Sequence, residues 1–417
     1  MNKSNFLINT ILDKSNVAIF CILGMMIGFL CSPAVSSISV FLFGFNAIRD
    51  VHPRKWIAQK WWLLGLIWVI CYAVTWFWSE DKGYWGVRLQ VKLPFLLLPL
   101  AFGFLPKFTP KQIQFITVSI APILLSGVYY SISFLIDDFN YYLAEYKYSH
   151  LIPTPVRGDH IRFSLSIALY IVWSFYAFQH LQTKAVKWFV GLCIGLLFIY
   201  LHVLAAKSGL ISIYIFLGCW SIYLTFSYKK IVGLVTISFI ICTLFFAVKF
   251  IPTLSSRLDT VRTNLSVLKN GDKSGNYGDV GRLMSYDIAF KLIKEHPLKG
   301  VGTGDMLAQM KKGYDQYYPQ VVEENRLLPH NQFLIVGIGC GIPVMIYFVF
   351  WCLYPLLSIR KNRESFYFFS VWLILFIQLL IEPVLEVQYG VFVFLFFLLL
   401  QWHTLPQKSS SCPKATN

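Results

Sequence analysis

Charge is what this sequence has least of. Asp, Glu, Lys and Arg together fill 13% of its 417 positions, while hydrophobic residues fill 57%. A soluble globular domain gives roughly a quarter of its residues to charge, so the scarcity excludes an ordinary soluble enzyme. Acidic residues are the rarer sign, 20 against 36 basic, for a formal charge of +16. Among long apolar runs such an excess belongs in short cytoplasmic loops, where it holds topology; it is not a nucleic-acid footprint, and no nucleic-acid partner is expected. A disulfide framework is missing too. Cys21, Cys31, Cys71, Cys193, Cys219, Cys242, Cys340 and Cys352 lie in or beside apolar runs and Cys412 lies in the polar tail, so they read as small hydrophobes. The chain has no GxSxG, no HExxH and no clustered His, Cys and carboxylate spacing, so nothing calls for a metal or a cofactor. "MNKSNFLINTILDKSN" has no small-residue cleavage site after an apolar core, and the first apolar stretch is expected to be retained.

What remains are runs long enough to cross a bilayer, at about 20 apolar residues each. Twelve are expected, near 17–31, 34–48, 61–78, 93–106, 112–136, 162–180, 187–205, 208–226, 231–250, 331–357, 366–383 and 389–403, with the first two open to being one helix broken at Pro33. The expected fold is therefore all-α: a polytopic membrane protein forming a single integral membrane domain over 1–417. Lys and Arg gather in "RDVHPRKWIAQK", "KFTPK", "KAVK", "SYKK" and "SIRKNRES", every second loop, together with both tails. Those loops and both termini are accordingly expected in the cytoplasm. The alternate loops, including the large one at 251–329, then face outward, as does any specific chemistry.

In that large loop Leu283, Tyr286, Phe290 and Ile293 recur at three- and four-residue spacing, predicting an amphipathic helix over the outer mouth of the bundle. "GVGTG" ends it, either as a plain turn or as a phosphate-cradling loop, the second weakly supported without a preceding strand or a fitting Lys.

Several outer cations run against the charge bias: Arg88, Lys92, Arg157, Arg162, Lys207 and Arg282. They fit two readings. They are anchors and partners for Asp159, Glu382 or Glu386, or they gather on an anion such as a lipid diphosphate, which Arg suits through its planar fork of donors. In "LPHNQFLIVGIGCGIP", Pro329 and Asn331 put His330 at the N-terminal end of the tenth span, where the helix dipole disfavours positive charge. A neutral imidazole there can take a proton from a hydroxyl; the alternative is an interfacial histidine with no task. His160, near Arg157 and Arg162, fits an anion contact better than a base. Glu382 and Glu386, four apart, would share a face on a continuous helix and either hold arginines, bind a sugar or form a solvated helix end.

"PHNQFLIVGIGCG" resembles the signature of the O-antigen ligase and polymerase superfamily: His330, the small amide Asn331, nine residues, then Gly341. The pattern's next position, Gly, Thr or Tyr three residues on, is Val344 here. "GRLMSYDIAFKLIKEHPLKGVGTG" is similar to the family's Arg-led loop helix, "AAKSG" to its Ser-Arg-Ser-Gly turn with Lys207 in the basic position, and "EPVLEVQYGVFVFLFF" to a last-span pattern of relatives. Together these cover roughly residues 150–400. The resemblance implies a GT-C-like bundle of about twelve helices in the bacterial inner membrane with a periplasmic site. It also implies a metal-independent, inverting glycosyltransferase. Such an enzyme takes a glycan from undecaprenyl diphosphate and passes it to a hydroxyl, in a ligase that of lipid A–core. Arg157, His160, Arg162, Lys207, Arg282 and Asn331 would serve substrate binding, and His330 would activate the acceptor. One dominant late outer loop resembles the ligases more than the polymerases, which extend lipid-linked repeats. A lipid-glycan flippase is the reading from another class. Against it stand the lack of an internal repeat and of charge in mid-span.

Overall fold

The computed structural model describes residues 13–146, 150–156, 158–227, 230–269, 278–360 and 362–406. Among these the chain is all-α, with no strand. The first half comprises α1 (Lys14–Cys31), α2 (Pro33–Ile48), α3 (Lys60–Val74), α4 (Lys82–Lys92), α5 (Pro94–Phe104), α6 (Pro110–Asp137), α7 (Phe139–Glu145), α8 (His160–Ala177) and α9 (Lys184–Leu204). The second half comprises α10 (Lys207–Ser227), α11 (Lys230–Phe250), α12 (Pro252–Lys269), α13 (Gly278–Glu295), α14 (Met306–Tyr317), α15 (Gln332–Cys340), α16 (Ile342–Leu353), α17 (Arg363–Ile381) and α18 (Gln388–His403).

Nine segments of this order are long and apolar enough to cross a membrane, and three shorter apolar helices, Pro33–Ile48, Ile342–Ser358 and Gln388–His403, complete the twelve expected runs. Helices α1 and α2 are separate. Ser32 between them is extended, and α2 folds back so closely that a Cβ on Gly28 would strike the Ser36 backbone. At the other extreme of burial α18 runs through the middle of the bundle, with Gly390 to Gln401 all buried. Helix α11 has only Gly233 and Ala247 buried among its described residues, so its apolar surface faces outward, where lipid would cover it.

The tenth span departs from the single helix expected at 331–357. It breaks between α15 and α16 at Gly341, whose φ of +86° is a left-handed conformation that favours glycine. The break is filled by the loop after α13: Val301 and Gly302 donate backbone N–H groups to the Ile338 and Gly339 carbonyls, and Ile342 donates to the Pro297 carbonyl. A Cβ on Gly300 would lie 2.5 Å from the Ile338 oxygen, and one on Gly341 2.5 Å from Leu298 backbone. The "GVGTG" glycines thus permit backbone to lie against backbone, which is a turn's task. The following Asp305 clamps this end of the bundle by accepting N–H bonds from Glu80 and Asp81 at 2.8–3.0 Å.

Helix α13 lies where expected but turns a different face inward. Val280, Met284, Ile288, Ala289 and Leu292 pack with Met306, Met310 and Tyr314 of α14 and Leu334, Ile335 and Ile338 of α15. Of the expected stripe only Ile293 is buried; Leu283 is 51% exposed and Phe290 61%. Two apolar stripes lie side by side on this helix, and contact with α14 and α15 selects the one built on four-residue steps.

Candidate functional site

Helix α17 ends at Ile381; Glu382 after it is extended, and Pro383 leads into a single turn of 3-10 helix, Val384–Glu386. This bend separates the two glutamates that a continuous helix would have placed together. Both are 6% exposed, so neither is a solvated helix end. Each organises its own network.

Glu382 is bidentate between His330 and Arg282. One carboxylate oxygen is 3.0 Å from His330 Nδ1 and the other accepts from Arg282 Nη2 at 3.0 Å. Burial opposes its charge, but the His330 hydrogen bond and the nearby Arg282 and Arg162 charges hold the carboxyl below the usual carboxylate range. His330 is also held from its backbone, since its carbonyl accepts the Tyr286 hydroxyl of α13 at 2.8 Å. That is the task of Tyr286, a member of the half-exposed stripe. Asn331 caps α15, its side-chain oxygen accepting from the N–H groups of Phe333 and Leu334, and its amide donates to the Leu380 carbonyl at 3.1 Å. The cap fixes the angle at which His330 meets Glu382.

At the start of α8, Asp159 caps the helix and lies 3.5 Å from Arg162. Arg162 is 8% exposed, and its Nε is buried with no hydrogen-bond partner among the described residues. His160, two residues before Arg162, lies within electrostatic reach of Glu382, Arg162 and Arg257. Lys207 opens α10. The turn before it uses Ala205 at φ +52°, and Ser208 and Gly209 seat α10 on α8, with Ser208 Oγ 3.0 Å from Ser164 Oγ and a Gly209 Cβ that would meet Ser164. Gln378 of α17 donates to the Ser208 carbonyl at 3.0 Å. The ends of α8, α10, α13, α15 and α17 are thereby drawn together, carrying His160, Arg162, Lys207, Arg282, His330, Asn331 and Glu382. Arg157 lies outside the described residues.

The remaining two outer cations go elsewhere. Lys92 is fully buried, 2.9 Å from one Glu386 oxygen and also bonded to the Leu385 carbonyl. Arg88 donates to the Glu386 carbonyl at 2.8 Å and sits 3.6 Å from its carboxylate. Gln332, fully buried, grips the same turn with both ends of its amide, donating to Glu386 at 2.6 Å and accepting from Leu385 N–H at 2.8 Å. Despite burial, the Lys92 and Arg88 charges keep the Glu386 carboxyl below its ordinary range. Of the two sequence readings, the partner role accounts for Arg88 and Lys92. Gln332 was invisible as one more polar residue at a helix start, and Arg257 was one cation in the polar stretch of α12.

Glu386→Ala leaves the Lys92 ammonium buried without its partner, so it is expected to destabilise the fold by about 3–5 kcal/mol. Thermal unfolding of the detergent-purified protein checks this. A loss no larger than that of a surface substitution would contradict the burial of the pair.

Among the described residues no group of His, Cys, Asp and Glu is arranged to hold a metal ion. The arrangement offers a histidine oriented by a carboxylate, beside several cations on converging helix ends. These features define a class: a multi-pass, all-α membrane protein with a buried ionic cluster at one end of its bundle. Residues 192–349 match the family model described as O-antigen ligase. That segment, which carries Lys207, Arg282, His330 and Asn331, is similar to the O-antigen ligase family. No curated protein matches the chain.

Proposed function

We propose that the protein is a ligase-type glycosyltransferase of the bacterial inner membrane, multi-pass with both termini cytoplasmic, acting at its periplasmic face. It would move a glycan from undecaprenyl diphosphate to a hydroxyl of lipid A–core. The observation that carries this reading is the Arg282–Glu382–His330 arrangement, with both contacts at 3.0 Å. When the neutral ring donates Nδ1–H to Glu382, its Nε2 keeps a lone pair. That nitrogen takes the acceptor's hydroxyl proton as the hydroxyl oxygen bonds to the anomeric carbon. The bond from that carbon to the diphosphate oxygen breaks, and its electron pair leaves on the diphosphate. A single displacement of this kind inverts the anomeric centre and needs neither a metal nor a carboxylate nucleophile.

Arg162, with its unsatisfied Nε, joins Arg282, Lys207 and His160 as the positive surface for the departing diphosphate; Arg157 completes the set expected from sequence. Preorganised cations aimed at developing charge supply the largest share of such catalysis. Asn331 acts here through the cap that sets His330. Helices α12 to α14 lie between residues 251 and 329; with that segment outside, one dominant outer loop supports a ligase over a polymerase.

The test is transfer by the purified protein from a labelled undecaprenyl-diphosphate glycan. Label on lipid A–core supports the ligase, elongation of the donor without core would replace it with a polymerase, and an untouched donor would overturn the transferase reading.

Glu382→Gln keeps the size of the side chain and removes the charge that fixes the His330 tautomer. Its kcat is expected to fall roughly 100-fold or more, with a smaller change in KM. The pH dependence follows from the lowered Glu382 value. Its contribution to stability is complete above the ordinary glutamate value of 4.5 and is lost as pH falls through the lower folded value. The wild type should therefore show an acid-induced loss of stability below about pH 4.5 that is diminished in Glu382→Gln, as thermal unfolding across pH would read.

A further inference from the structure

The end of α17 remote from Glu382 carries a second feature that the transfer reaction does not use. Between the C-terminal end of α10 and the N-terminal end of α17 lies an open cavity of about 450 Å³. Its lining includes Arg360 and Arg363 together with Tyr223, Phe366 and Phe369. It is about 28 Å from the glutamate at the far end of the same helix, given 1.5 Å per residue over 19 residues.

Its walls are built rather than incidental. Asn362 caps α17 by accepting from Ser365 N–H at 2.8 Å, and Ser365 Oγ in turn accepts the Arg360 N–H at 2.9 Å, so the loop carrying both arginines is fixed from two sides. Arg363 Nη2 lies 3.4 Å from the Tyr367 hydroxyl. The aromatic floor is continuous: Tyr223 stacks on Phe366 at 4.5 Å and on Trp220 at 5.8 Å. Phe369 is 36% exposed.

We propose that this cavity binds an anionic phospholipid, its phosphate between Arg360 and Arg363 and an acyl chain along Phe366 and Phe369. The pairing of chemistries carries the inference. Two cations at the end of membrane-crossing helices suit a phosphate, and an apolar aromatic wall descending from them toward the bundle suits the chain attached to it. Arginines that only hold topology need no cavity and no aromatic floor. Basic pockets between membrane helices are a recurrent way of holding phospholipid head groups.

Native mass spectrometry of the full-length protein, loaded with phosphatidylglycerol, phosphatidylcholine or inorganic phosphate, tests it. The wild type should retain phosphatidylglycerol over phosphatidylcholine. Arg360→Gln/Arg363→Gln should bind it about 25-fold more weakly, at about fivefold for each arginine near a lipid surface. Lys184→Gln/Lys187→Gln, at the same end of the bundle but outside the cavity, serves as the control and should bind as the wild type does. Equal loss in that control would reduce the effect to general surface charge and overturn the site. Inorganic phosphate competing fully with the lipid at equal concentration would show a phosphate site with no role for the chain, which also overturns it. Should the double Gln variant unfold, Arg360→Lys/Arg363→Lys keeps the charge and must still prefer phosphatidylglycerol; indifference to head group in that variant counts against the proposal.

Discussion

His330→Ala lowers the transfer rate by about 10²- to 10⁴-fold, the span of a positioned general base, while affinity for the lipid-linked donor changes little. On the proposed mechanism the split arises because His330 would take the acceptor's proton, whereas the cations around it would serve the donor. The side chain is partly accessible, at 24%, and its removal leaves the Asn331 cap and the Tyr286 bond to the His330 carbonyl intact. The variant should therefore fold. Initial rates at saturating donor, set beside donor binding to the same preparation, check the prediction; equal losses in both would assign His330 to binding instead.

Arg282→Ala is expected to lower transfer by about 10²- to 10³-fold, as loss of one preorganised donor to developing charge does. It also removes one of the two partners of Glu382, so kcat should suffer and Arg282→Lys should recover only part of it. A lysine restores the charge but not the fork of donors, which bonds Glu382 and would reach the proposed diphosphate at the same time. Rates of the three forms with the same labelled donor decide it. Full recovery by lysine would mean that net charge alone matters at this position.

The membrane helices were legible because a bilayer demands long apolar runs, and nothing else in this composition supplies them. What the runs could not carry was their interruption. Gly341 sits among apolar neighbours, and the break it makes is visible only once the loop at 297–302 is found bonded across it. Helix α13 shows a different limit. Leu283, Tyr286 and Phe290 fall on one stripe and Val280, Met284 and Ile288 on another, and helical periodicity alone cannot choose between them.

The site was legible as residue types and less so as partnerships. His330, Arg162, Lys207 and Arg282 stood out because cations and an imidazole at outer helix ends are unusual in a membrane protein. The separation of Glu382 from Glu386 did not, because four-residue spacing implies a shared face only if the helix continues, and α17 ends at Ile381. Arg88 and Lys92 satisfied the same sequence criterion as the other cations, yet the turn at Val384–Glu386 turns them inward to Glu386. Gln332 carries no charge to mark it, although it holds that turn with both ends of its amide.

The most direct measurement is the surface-glycan profile of a deletion strain complemented with the wild type or with His330→Ala. The account predicts that wild type restores glycan on lipid A–core, and that the variant, though expressed in the membrane, leaves core bare with long polymerised chains still on the lipid carrier. A normal profile from His330→Ala would contradict the catalytic role of His330, and core bearing a single repeat would contradict the ligase.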